Sequence, residues 1–133
     1  MFSRNTSSNS YPIAGLGVSD VEIVHVLDSS GLGGIESHVA ALTRAQTACG
    51  NLTSVALFGY CTATHPLNNA LSQVGARFEA SGGTKNLYGW LLNRKRDANC
   101  RGHTLLIHTH GYKAGVSLRA LCWLFRIPCV STF

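Results

Sequence analysis

Charge is scarce in this chain: only 13% of its 133 residues are Asp, Glu, Lys or Arg, and six of those are acidic. Asp20, Glu22, Asp28, Glu36, Glu79 and Asp97 are scattered, which excludes the paired carboxylates of a hydrolytic glycosidase. No apolar run is long enough to span a bilayer. The amino-terminal MFSRNTSSNSYPIAGLG has no apolar core of the secretory kind. The five cysteines are odd in number, widely spaced and never arranged as C-x-x-C, so neither a disulfide framework nor a cysteine zinc site is expected, and a reducing cytoplasm is favoured. A Walker-type G-x-x-x-x-G-K-S/T loop is missing, as is a G-x-S-x-G nucleophile elbow.

The charge that is present is basic, 11 Lys and Arg giving a formal +5, which suits anionic partners such as nucleotides or acidic headgroups. Only Arg94-Lys95-Arg96 forms a run, and no aromatic residues interleave with it in the RNA-binding manner, so nucleic acid is not an expected partner. Residues 1–20 read as a disordered polar leader and residues 21–133 as one domain with a single core.

Within that domain, apolar runs alternate with helix-forming stretches. Strands are expected at Glu22–Leu27, Leu52–Phe58, Ala76–Ala80, Thr104–Thr109 and from Pro128 onward. Helices are expected at Ile35–Cys49, Leu67–Val74, Lys85–Arg96 and Lys113–Arg126, where Ala114, Leu118, Leu121 and Phe125 share a face. Near-continuous apolar strands separated by helices imply an α/β fold, a Rossmann-like parallel sheet with helices on both faces. In such a sheet the ligand lies beyond the carboxyl ends of the strands, which selects the segments 28–34, 59–65, 81–84 and 108–112. The chain ends in or just past its fifth strand, and reads as the front part of a longer design.

The segment EIVHVLDSSGLGGIE, residues 22–36, carries the clearest chemistry. An apolar strand stops in a loop with three glycines and a helix follows at once, the anatomy of a phosphate-binding corner. The field of a helix end contributes about 0.3–1 kcal/mol per charge, enough to orient a diphosphate and too little to bind one unaided. Gly31, Gly33 and Gly34 nearly match the dinucleotide fingerprint, but Glu36 occupies the third glycine position and no acidic residue follows the second strand. His108 and His110 end the fourth strand, where alternation turns both rings to one face. They can be metal ligands, a structural pair, or polar groups aimed at a ligand. With no further Asp, Glu or Cys cluster to complete a metal site, the location favours the last and no metal is expected. The stretch Leu87–Leu92 followed by Arg94-Lys95-Arg96 reads either as an amphipathic patch for a membrane surface or an acidic acceptor, or as an ordinary solvated helix end.

On the residues HVLDSSGLGGIESHVAALTRA, HPLNNAL, IHTHGYKAG and IPCVSTF, in that order, the chain resembles the N-terminal domain of the GT-B fold glycosyltransferases of family 4, which are retaining and use nucleotide sugars. The resemblance covers nearly all of residues 22–133. It implies transfer of a sugar from a nucleotide-diphosphate donor to a glycan, lipid-linked or small-molecule hydroxyl, with no cofactor beyond that substrate. By it Gly33 and Gly34 offer backbone amides, Glu36 sets the helix start or touches the acceptor, His110 contacts the transferring sugar as the catalytic-site histidine, and His108, Gly111 and Tyr112 line the same loop. It also implies a C-terminal GT-B domain as partner, without which no useful transfer is expected. The cysteine usage gives a cytoplasmic location, and the patch at residues 87–96 a peripheral association at the inner face of the membrane. A non-catalytic anion- or nucleotide-binding module and an NAD(P)-dependent oxidoreductase fragment are the alternatives.

Overall fold

The structure, a computed structural model, describes residues 20–29, 33–59 and 64–133. The expected leader, apart from Asp20, lies outside the described residues, as do Gly31, the first glycine of the fingerprint-like segment, and Tyr60 and Cys61.

Strands and helices alternate strictly: β1 (Val21–Leu27), α1 (Gly34–Ala48), β2 (Leu52–Leu57), α2 (Leu67–Gln73), β3 (Arg77–Ala80), α3 (Gly83–Cys100), β4 (Thr104–His110), α4 (Tyr112–Phe125) and β5 (Cys129–Thr132). The strands form one sheet in the order β3-β2-β1-β4-β5, and every neighbouring pair is parallel. The fold is therefore the α/β, Rossmann-like sheet that the sequence pattern implies. β1 sits at its centre, which is why VEIVHVL is buried along almost its whole length rather than on alternate residues.

Two apolar cores lie on the two faces. One joins Val24 and Val26 of β1 and Ile107 of β4 to Leu87 and Leu91 of α3 and Leu118 and Cys122 of α4. The other joins Leu27, Val55 and Leu57 to Val39 of α1 and Leu67 and Leu71 of α2, and includes no residue of β4 or β5. Burying each such side chain contributes about 1.5–3 kcal/mol. The polar groups that β4 and β5 present on this second face therefore border α1 without being sealed into an apolar core.

α3 is longer than the sequence indicates. It starts at Gly83 and runs to Cys100, rather than from Lys85 to Arg96. Gly82, at φ 84°, supplies the left-handed turn into the helix. The extra carboxyl-terminal turn is polar in sequence but anchors Ala98, which is fully buried. On this helix Leu87, Leu91 and Arg94 face inward, Trp90 donates to Glu79 Oε2 at 2.7 Å, Lys95 Nζ donates to the Phe125 carbonyl, and Tyr88 is exposed. Among the described residues no helix is long and apolar enough to cross a membrane.

Candidate functional site

In this strand order the chain leaves β1 for β2 on one side, while β4 lies on the other. The crevice between the carboxyl ends of β1 and β4 is the topological switch point, where open parallel sheets bind ligands. Two helices begin there, α1 at Gly34 and α4 at Tyr112. Gly111, the residue before α4, has φ 89° and ψ 165°, a conformation essentially confined to glycine. Its N–H donates to the Thr132 carbonyl at 2.8 Å and its carbonyl accepts from Gly115 N–H at 3.1 Å, so β5 and α4 together hold the turn. A cleft of about 240 Å³ results, lined by Gly34, Ile35 and His38 of α1, by His110 and Gly111, and by Thr132.

The two helix starts differ electrostatically. At α1, Gly33 is the N-cap and has no side chain to offer, so Glu36 at the third helical position reaches back in its place. Burial pushes the Glu36 carboxyl up, but hydrogen bonds from Ser29 and from the backbone amides of Glu36 and Gly33, with His65 nearby, outweigh it and hold the group below its usual range. The amino end of α1 thus already carries an anion of its own. At α4 the first turn contains no acidic residue.

Ser29 connects this corner to the next loop. Its hydroxyl donates to Glu36 Oε1, and its Oγ lies 3.1 Å from Nε2 of His65. The backbone N–H of Leu67 donates to His65 Nδ1 at 3.2 Å, which leaves the proton of the neutral ring on Nε2, pointing at Ser29. His65 therefore donates to Ser29 and cannot take its proton. The trio resembles a catalytic triad in composition and is a helix-capping relay in hydrogen-bond direction.

His108 and His110 share one face as expected, with rings stacked at 4.1 Å between centroids. The structure adds a third ring. His25 of β1 is the register partner of His108, is fully buried, and places Nδ1 3.0 Å from His110 Nε2. On its other side His25 Nε2 donates to the amide oxygen of Gln46, from α1, at 2.7 Å. That bond assigns the His25 tautomer: Nε2 is protonated, Nδ1 is a lone pair, and His110 Nε2 must supply the proton between them. His108 Nε2 lies 2.8 Å from Thr132 Oγ1, and His38 presents its edge to His110 at 5.9 Å between centroids.

Burial keeps these rings neutral. It pushes His25 down to about 4, with the Gln46 bond opposing and His108 and His38 adding repulsion. It pushes His110 down to about 3, assisted by His108, His25 and His38. His108 is lowered by burial and by His38. A histidine held this low is no acid at neutral pH, and serves as a hydrogen-bonding group or a ligand.

Of the residues singled out in the sequence, Gly34, His110 and Gly111 meet in the cleft. Gly33 and Glu36 are engaged in starting α1, and His108 lies on the sheet face beside His110. Tyr112, 76% exposed, projects at the start of α4 and is not among the residues lining the cleft. The sequence places His25 in the first strand, buried, and His38 in a helix or loop, as found, but gives no site role to either or to Gln46 and Thr132. Only His25 offered a signal, a histidine inside an otherwise apolar strand. A second cleft, of about 390 Å³, opens at the opposite end of the sheet, where Arg94 and Arg101 are already paired with Glu22. Comparison of the chain with family models, with curated proteins and with solved structures finds no match.

Proposed function

We propose that the chain is the acceptor-side domain of a retaining, nucleotide-sugar-dependent glycosyltransferase. The observation that supports it best is the convergence of Gly34, His110 and Gly111 on one cleft at the switch point, three residues drawn from two of the motifs that carry the family resemblance. In this reading the amide groups at the start of α4, with no acidic residue in the first turn, face the anionic donor. Glu36 neutralises the start of α1, so that corner serves the uncharged hydroxyls of an acceptor instead. His110, neutral and donating through Nε2 to His25, keeps Nδ1 as an acceptor for a sugar hydroxyl. A glycan or lipid-linked acceptor, a C-terminal GT-B domain and docking at the inner face of a membrane belong to the same proposal.

The test uses a variant that spares the fold. A Cβ added at Gly34 meets nothing within 4 Å, so Gly34→Ala should fold normally while placing a methyl group in the cleft. Titration with uridine, guanosine and adenosine diphosphate sugars should shift the amide resonances of Gly34, His110 and Gly111, and the response should weaken in Gly34→Ala. Shifts caused by NAD or NADP alone would transfer the site to the oxidoreductase reading. Because the helix end orients a diphosphate without binding it tightly, the titration runs to tens of millimolar, and silence with every sugar nucleotide over that range would remove the transferase reading.

A further inference from the structure

We propose that His25, His108 and His110 form a binding site for one divalent transition-metal ion of the zinc class. One ring nitrogen from each of the three lies within 4.8 Å of the others. Two imidazole nitrogens bound to a tetrahedral zinc at about 2.0–2.1 Å stand roughly 3.3 Å apart, so the 3.0 Å separation of His25 Nδ1 and His110 Nε2 needs to open by only a few tenths of an ångström.

Two features mark a built site. The outer partner of the most buried ring is in place: Gln46 holds His25 by its far nitrogen, the arrangement that orients a metal-binding histidine and sets its tautomer. The donors also stand on a fixed backbone, two on one strand and the third opposite on its central neighbour, so that side-chain rotation alone has to draw the widest pair in from within 4.8 Å. An all-imidazole set selects zinc, cobalt, nickel or copper over magnesium and calcium, which require oxygen ligands. The cleft lined by His38, His110 and Thr132 adjoins the site, so a fourth position can be filled from there by water or a ligand.

Metal entry changes no net protonation in the cluster. The His110 ring stays neutral while its proton moves from Nε2 to Nδ1, freeing the Nε2 lone pair; His25 already has its lone pair on Nδ1. Binding of the ion needs no nucleotide, and with the ion in place His110 Nδ1 becomes a donor to a sugar hydroxyl instead of an acceptor.

The experiment is titration of the metal-stripped 133-residue chain with Co²⁺ and Zn²⁺, followed by visible absorption and by nitrogen NMR of the imidazoles. Expected are one ion per chain, ligand-field bands of nitrogen coordination, and a tautomer change at His110 with none at His25. Gln46→Ala should weaken binding about 10- to 100-fold, and His108→Gln at least as much. His108 is half-buried on the sheet face, so its variant should fold even if a His25 variant does not, and circular dichroism checks this. Failure to take up an ion stoichiometrically would overturn the proposal. So would a sulfur-to-cobalt charge-transfer band, which would place the ion on cysteines, or affinity unchanged in folded His108→Gln.

Discussion

His25 Nδ1 and His110 Nε2 meet at 3.0 Å across 85 positions of sequence, buried on the face of the sheet that α1 covers. In the metal-free chain this contact is an N–H···N hydrogen bond whose direction Gln46 dictates. Nitrogen NMR should find His25 protonated on Nε2 and His110 also on Nε2. Replacing His25 by Leu strands the Gln46 amide oxygen and the His110 N–H, and should cost about 1–3 kcal/mol for each group left unpaired, read by urea denaturation.

Glu22 and Arg94 provide the second test. They are buried together at 2.8 Å at the amino end of the sheet, with Arg101 on the other carboxylate oxygen at 2.6 Å. Arg94→Met should destabilise the fold by about 3 kcal/mol, the low end for breaking a buried pair because Arg101 still reaches Glu22. The double variant Glu22→Leu/Arg94→Met should be less damaging than the sum of its single changes, because no unpaired carboxylate is left behind.

The glycines of the cleft should separate into two classes. Gly111→Ala forces a side chain into a conformation at φ 89° and should cost about 1–3 kcal/mol. Gly34→Ala removes a flexible residue from the first turn of α1 and should be neutral or stabilising by up to about 1 kcal/mol. Thermal melts of the two variants decide this.

Acid should loosen the start of α1. The Glu36 carboxyl is held below its ordinary value of 4.5 in the folded chain, so the unfolded chain binds a proton first as pH falls. Its contribution is complete above pH 4.5 and is lost as pH drops through the lower folded value. His25 and His110 add a separate acid limb, because they take up protons near 6.5 when unfolded and only near 4 and 3 when folded. Subtracting the pH–stability curve of Glu36→Gln from that of the parent chain isolates the carboxylate, and the difference should vanish toward strongly acid pH.

The amino-acid sequence by itself determined the alternation of strands and helices, the parallel sheet, and the presence of His108 and His110 on one face. These follow from short-range causes: apolar runs, glycine stops, and the two-residue period of a strand, each legible within a few neighbouring residues. The cleft residues Gly34, His110 and Gly111 were legible for the same reason, since parallel sheets bind beyond their strand ends. The tertiary structure alone decided which distant groups meet. The register that puts His25 opposite His108, the approach of α1 that brings Gln46 to His25, and the inward turn of Arg94 toward Glu22 all depend on helical crossovers bringing together segments that carry no local mark of one another. A run of Arg94-Lys95-Arg96 looks solvated until the helix phase and a buried Glu22 draw one of its members inside. An ordinary histidine in an apolar strand became part of a three-ring cluster because strand order, which no short stretch encodes, placed β1 beside β4.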